Sequence, residues 1–172
     1  MIGKTSVHQL VRFYQPWDVY THHFVSPQRR TIEHVIPKSR LKSLNLSVNN
    51  DLHNLWMADV TVNQWRRDYR FAVRDDVLAT PGWEQHMGCV RHAGRGLYCP
   101  AQSHRLIAHS IASLMLQYPR LEEKLDTVFD SPSCLDEWLA TPWTDREQWM
   151  RIQHENMIEA VTGSVRRFRP LS

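Results

Sequence analysis

Residues 31–37 read TIEHVIP, and no other stretch constrains the fold as tightly. The β-branched residues favour a strand, and Pro37 ends it. Neighbouring side chains on a strand point to opposite faces, so Glu33 and His34 cannot both enter one apolar core. The ordinary account is a surface strand with a solvated Glu and a partly buried His. The alternative is a strand end opening into a loop, where one side chain holds a cation while the next faces a substrate.

Length and composition set the frame. With 172 residues, 42% of them hydrophobic, the chain is long enough for one real core and too short for two comfortable ones, so a single domain over 1–172 is expected. Lys+Arg 21 against Asp+Glu 18, with His 10, gives a net charge of only +3. That balance implies a local basic patch, and any nucleic-acid surface has to arise by placement. No stretch approaches the roughly 20 apolar residues of a bilayer span, and the opening MIGKTSVHQLVRFYQPW has no uninterrupted apolar signal-peptide core. Cys89, Cys99 and Cys134 are an odd set in a sizeable domain, which argues against a disulfide framework. The expectation is a soluble intracellular protein with reduced thiols and no membrane partner.

Along the chain, TSVHQLVRFY places Val7, Leu10, Val11 and Tyr14 at helical spacing behind a Thr5 or Ser6 cap, and Pro16 ends the segment. WDVYTHHFV and RRTIEHVI read as strands around the Ser26-Pro27 break. From Pro37 to Asp51 the chain is polar and amide-rich, an irregular loop with one helical turn that carries Lys38, Arg40 and Lys42. LHNLWMA then suits a strand, and Asp59 is placed to cap a helix through VTVNQWRRDYRF. The order is strand, loop, strand, helix.

In that helix, Val62, Trp65 and Tyr69 fall at i, i+3 and i+7, a stripe that should pack inward. Asn63, Arg66, Arg67 and Arg70 share a neighbouring face. An amide among arginines is ordinarily a solvated helix surface. It is also the composition of a hard-metal oxygen ligand beside a phosphate clamp, because Mg²⁺ takes carboxylate and carbonyl oxygens and Arg pairs with phosphate in a fork.

Taken in order, EHVIPKS, DLHNL and VTVNQWRRDY resemble the endonuclease I family of His-Me finger (ββα-metal) nucleases, whose pattern runs Glu-His-Val-x-Pro, Asp-x-His-Asn-Leu, then Val-Asn-x-x-Arg. YCPAQSHRLIAHSIASLMLQYP is similar to that family's proline-led, Ile-Ala-containing helix, and the C-terminal segment follows its ending loosely, so the resemblance runs from about Thr31 onward. It implies an α+β fold, with a ββα-metal core at about 31–70, flanking strands and several packing helices. It assigns His34 as general base on the attacking water, with Glu33 and Asn63 holding one Mg²⁺, for which Mn²⁺ or Ca²⁺ can substitute in binding. Asp51, His53 and Asn54 would orient the strand and the site from behind. Lys38, Arg40, Arg66, Arg67 and Arg70 would meet phosphates.

The implied activity is metal-dependent endonucleolytic hydrolysis of DNA, with RNA as the alternative partner, and with little sequence specificity. A junction- or flap-selective nuclease and a nucleic-acid-binding module without cleavage are the other readings. The family's loop between His and Asn is usually longer, carries cysteines and supplies an arginine to the cleaved phosphate. Here the loop is short and cysteine-free, and Lys38, Arg40 and Arg66 all remain candidates for that role. The family's Asn-Gly-Asp-Arg is NQWRRD in this chain, which keeps the Arg and loses the Gly.

Cys89, His92, Cys99 and His104 form a competing set with zinc-compatible side chains, but the spacing fits no strong zinc pattern. His104 shares a helical side with Ile107, Ile111, Leu114 and Tyr118, which reads as a core histidine. Trp83, Trp138, Trp143 and Trp149 read as core residues. Arg166, Arg167 and Arg169 around Phe168 read as a solvated basic tail, with nucleic-acid contact as the alternative.

Overall fold

The structure is a computed structural model that describes residues 4–42 and 50–163. It is a mixed α+β fold with two small sheets and several helices. Helix α1 (Lys4–Phe13) leads through an irregular stretch to β1 (Arg30–His34), the single turn α2 (Lys38–Leu41), β2 (Leu55–Asp59) and α3 (Val60–Arg66). Then follow β3 (Arg70–Phe71), α4 (Arg74–Leu78), β4 (Trp83–His86), β5 (Cys89–His92) and β6 (Leu97–Cys99). Helices α5 (His104–Gln117), α6 (Leu125–Val128), α7 (Pro132–Ala140) and α8 (Asp145–Thr162) complete the described chain.

Strands β1 and β2 form an antiparallel ribbon in which His34 lies opposite Leu55, Glu33 opposite Trp56 and Ile32 opposite Met57. Opposed residues share a face, so the ribbon serves two cores. Trp56 and Ala58 join the larger one, whereas Ile32 and Leu55 pack with Val11, Leu52, Met157 and Ile158 in a smaller one. All five residues of β2 are buried because its outer edge is covered. Val19 N donates to Met57 O at 3.2 Å, Asp59 N donates to Asp18 Oδ2 at 2.7 Å, and His154 Nε2 lies 2.9 Å from Leu55 O. A bare edge here would invite pairing with another chain.

The second sheet has the order β3-β6-β5-β4, with β3 parallel to β6 and the remaining pairs antiparallel. The β4–β5 turn sits on Met87 (φ 51) and Gly88 (φ 82). Both residues are left-handed, as the tight hairpin turn whose twist matches its strands requires. Against this sheet and α5 lies an aromatic cluster in which the Phe71 ring is 5.5 Å from Trp138 and 5.9 Å from Phe129. Helix α8 opens on a Thr144–Glu147 capping box and closes on Gly163 (φ 74), signals visible in TDRE and TG.

Three expectations are corrected. Residues 17–25 form turns with one bridge, Trp17 to Phe24, instead of a regular strand. The cause is Asp18, whose buried carboxylate accepts from Tyr20 N, Thr21 N and the Thr21 hydroxyl and so curls the backbone back on itself. The helix from Val60 stops at Arg66 instead of continuing to Phe71, because Arg67 takes φ 56, ψ −142 and the chain turns into β3. Of the four tryptophans read as core, Trp138 is buried and Trp143 packs against the core, but Trp83 and Trp149 are exposed. The tail at Arg166, Arg167, Phe168 and Arg169 lies outside the described residues.

His154 makes this packing sensitive to acid. Its ring stacks on Trp56 with centroids 3.8 Å apart, and burial draws its pKa down to about 3. An unfolded histidine titrates near ~6.5, so the unfolded chain takes up a proton that the folded one refuses. This contribution is complete above about pH 6.5 and falls by roughly 1.4 kcal/mol per pH unit as the pH drops toward the folded value. Urea midpoints measured at pH 7.5 and pH 5 should show the loss, and His154→Gln should show a flatter dependence.

Candidate functional site

The carboxylate of Glu33 points into the larger core. Its Oε1 accepts from the Tyr20 hydroxyl at 2.6 Å and from Arg66 Nη1 at 2.7 Å. Arg66 is itself buried, and its guanidinium lies 4.6 Å from the Phe71 ring centroid. Burial pushes Glu33 up to about 7 against the pull of Arg66 and the Tyr20 hydroxyl. Burial would also lower Arg66, but Tyr20, Glu33 and Tyr98 together hold it above its ordinary value. Arg66 therefore keeps its charge, and Glu33 is the member of the pair that can take a proton.

Arg66 also fixes the strand end. Nη1 donates to His34 O at 3.2 Å and Nη2 donates to Val35 O at 3.0 Å. From the other side Asn54 closes a ring of bonds: its backbone oxygen accepts from Val35 N, its Oδ1 accepts from Ile36 N at 2.7 Å, and its Nδ2 donates to Ile36 O at 3.1 Å. Asn54 is placed by the short 3₁₀ turn Leu52–Asn54, which Asp51 caps by accepting from His53 N. His53 Nδ1 lies 3.0 Å from Asp51 Oδ1, and the Tyr118 hydroxyl donates to Asp51 Oδ2 at 3.1 Å. Asn54 thus touches the strand end directly, whereas Asp51 and His53 reach it only through the turn.

His34, opposite in facing to Glu33, is half-buried. Asn63 is half-buried on α3, and its Nδ2 donates to Ile32 O at 3.1 Å. The amide is thereby tied to the residue before Glu33, and its oxygen is not used in that bond. Among the described residues, both side-chain bonds to Glu33 fall on Oε1. Carboxylate and amide oxygens are the donor type that Mg²⁺ takes, usually with only one or two protein ligands and several waters. Among the described residues no group of three or more His, Cys, Asp or Glu side chains could hold a metal.

The arginines expected on one helix face are dispersed. Arg66 turns inward, and Arg70 sits on β3, paired with Asp130 at 3.0 Å. Arg40 is engaged with Asp68, through a bond to its backbone oxygen at 3.2 Å. Lys38, Lys42 and Arg67 are exposed. The expected common face failed because α3 ends before Arg67, and helical spacing has no meaning past that point.

In the cysteine–histidine set, only Cys99 and His104 are brought together, with Cys99 Sγ 3.6 Å from His104 Nε2, and no group of three or more metal-ligating side chains forms among the described residues. Cys89 Sγ accepts from Ala101 N at 3.4 Å, and burial raises its pKa. Burial likewise pushes the Cys99 thiol up to about 12, whereas a metal needs the thiolate. His104 is half-buried instead of fully in the core: its Nε2 lies 2.9 Å from Pro100 O and its ring 4.9 Å from Trp138.

No family model matches this chain, and no curated protein matches it. Among the described residues no helix is long and apolar enough to cross a membrane.

Sequence reasoning missed Tyr20 and the inward role of Arg66. Tyr20 lies 13 residues before Glu33 in a segment with no periodic signal. The only available hint was Asp18, two residues earlier, as a turn former. Removing Arg66 tests the pair. Arg66→Met strands a buried carboxylate and should cost about 3–5 kcal/mol in urea unfolding at neutral pH, and adding Glu33→Gln should recover part of that loss. Arg67 tests the turn. A side chain at its positive φ is strained, so Arg67→Gly should raise the urea midpoint by an amount worth on the order of 1 kcal/mol.

Proposed function

We propose that this protein is a divalent-metal-dependent endonuclease on a His-Me finger (ββα-metal) core, hydrolysing phosphodiester bonds of DNA, with RNA as a second substrate class. The observation that carries the reading is local. The three motif residues Glu33, His34 and Asn63 belong to one ribbon-and-helix unit, in which Asn63 is bonded to the backbone of residue 32 and the His34 backbone is gripped by Arg66.

In this reading Glu33 Oε2 and Asn63 Oδ1 would hold a Mg²⁺ ion. When bound, such an ion neutralises charge building on the phosphate and on the leaving oxygen. His34 takes a proton from the attacking water, the general-base role that imidazole side chains most often fill. Arg66 and Asn54 keep the backbone at His34 from moving, because a general base misplaced by about an ångström loses much of its effect. The exposed Lys38, Lys42 and Arg67 meet backbone phosphates and supply affinity without base preference.

One observation favours a second reading, a nucleic-acid-binding module on the same scaffold without cleavage. Glu33 already has Arg66 and Tyr20 as partners and so has a structural use of its own.

The test is incubation of the pure protein with linear, circular, single-stranded and branched nucleic acid, with and without Mg²⁺. Cleavage that needs the cation is expected. His34→Ala should keep the fold and nucleic-acid binding while losing about 10²- to 10⁴-fold in cleavage rate, the usual loss for a general base. Calorimetric titration with Mg²⁺ should show weaker binding in Glu33→Gln and in Asn63→Ala. Unaltered metal affinity in both would remove the assigned ligands. A wild-type protein that binds DNA and never cuts it with any divalent cation would establish the binding module.

A further inference from the structure

A cleft of about 430 Å³ opens at the end of β1 away from His34, lined by His8 and Arg12 of α1, Gln28, and Arg30 and Thr31 of the strand. Its two arginines are spent only on backbone oxygens. Arg12 Nε donates to Arg30 O at 3.1 Å, and Arg30 Nε donates to Val25 O at 2.9 Å. Among the described residues neither forms an ion pair. The neighbouring Arg29 is different, since Asp59 receives both of its 2.8 Å carboxylate bonds.

The two unneutralised guanidiniums are also gathered around one ring. Their carbons lie 5.5 and 5.4 Å from the centroid of Phe13, which is 48% exposed. Burial draws the pKa of Arg30 down, as expected for a cation partly withdrawn from water with no anion beside it. Like charges brought together in this way are completed by an anion. A phosphate oxygen fits guanidinium forks better than a carboxylate of the chain does here, because no carboxylate lines the cleft.

We propose that this cleft is a phosphate subsite that holds the backbone of a bound nucleic-acid strand at a distance from His34; it rests on the nucleic-acid reading above and extends it. Arg30 and His34 share one face of β1. Four residues at about 3.3 Å each separate them by roughly 13 Å. At about 3.4 Å of rise per nucleotide, that is some four nucleotides of a stacked strand. The exposed Phe13 offers a face on which a base can stack, which a free anion would not use.

The experiment measures binding of a labelled single-stranded oligonucleotide by fluorescence anisotropy across a salt series, in the His34→Ala background so that nothing is cut. Arg12→Gln/Arg30→Gln should lower affinity about tenfold or more, as loss of charged hydrogen bonds does. The same variant should flatten the slope of log K against log salt by about 0.7 for each phosphate released. Gln28→Glu leaves both arginine–carbonyl bonds in place and introduces the missing carboxylate, so it should weaken binding even if the double variant folds poorly.

Arms with inorganic phosphate separate a free anion from a strand. If phosphate alone shifts the amide signals of Arg30 and Thr31 while oligonucleotide affinity and slope are the same in parent, double variant and Gln28→Glu, the subsite is overturned and the nuclease reading stands. If the slope flattens as expected but the wild-type protein cuts nothing, the subsite stands and the nuclease reading falls. A parent that binds no nucleic acid overturns both.

Discussion

The buried pair of Glu33 and Arg66 is the constraint from which the surrounding structure follows. Two charges withdrawn from water cost more than their attraction alone returns, so such a pair persists only with further hydrogen bonds around it. Here those bonds are the Tyr20 hydroxyl on the carboxylate and the carbonyls of His34 and Val35 on the guanidinium. An apolar pair of the same volume would pack as well, but it would not specify where the strand end stops. The guanidinium does, because its planar fork has fixed directions. To send that side chain inward at the last turn of α3, the chain has to leave the helix at once, which it does at Arg67 with a positive φ. The strain at Arg67 and the rigidity at His34 are two consequences of one contact.

Tyr20 carries this constraint into the second half of the molecule. Its ring lies 5.4 Å from Tyr98 on β6 and 6.2 Å from Phe71 on β3, so the partner of the strand-end carboxylate is also part of the aromatic core under the mixed sheet. Asp18 sets Tyr20 by curling residues 18–21, and its second oxygen takes Asp59 N at the end of β2. Asp59 in turn caps α3, the helix that carries Asn63 and Arg66. The irregular segment before the ribbon thus ties together strand, helix and sheet through a few polar bonds. A regular strand there, with its side chains alternating, could not bring one carboxylate to all of those amides.

Much of this was legible in the chain and some was not, for reasons that differ by residue. The ribbon and the start of its helix were readable because β-branched runs, Pro37 and the Asp59 cap are local signals. The bond of Asn54 to the strand end was not readable from DLHNL alone, since it depends on a 3₁₀ turn that places the amide next to residue 36. The helix end was not readable. RRDY is compatible with helix continuation at every position, and what stops it is a tertiary contact of Arg66 with a carboxylate 33 residues earlier. The inward arginine was missed for the same reason: a charged residue among charged residues looks solvated until its partner is known. Trp83 and Trp149 were misread because aromatic residues are usually packed, and composition does not reveal which ones lie on an outer face.

Positive charge in this molecule is unevenly satisfied. A net charge of +3 gives no field strong enough to draw a polyanion to the whole surface. What matters is which cations are already satisfied. Arg29, Arg70 and Arg91 each face a carboxylate within 3.0 Å, so they add little to an external potential. Lys38, Lys42 and Arg67 beyond the end of β1, and Arg12 with Arg30 at its beginning, form no ion pair among the described residues. Unneutralised charge thus flanks both ends of this strand, with the half-buried His34 at one end, while Arg74, Arg105, Arg120, Lys124 and Arg146 elsewhere also form no ion pair among the described residues. A polyanion with evenly spaced charges is drawn along such a line, and a compact anion is drawn only to one end of it. The proposed phosphate subsite rests on this placement of residual charge, more than on its sum.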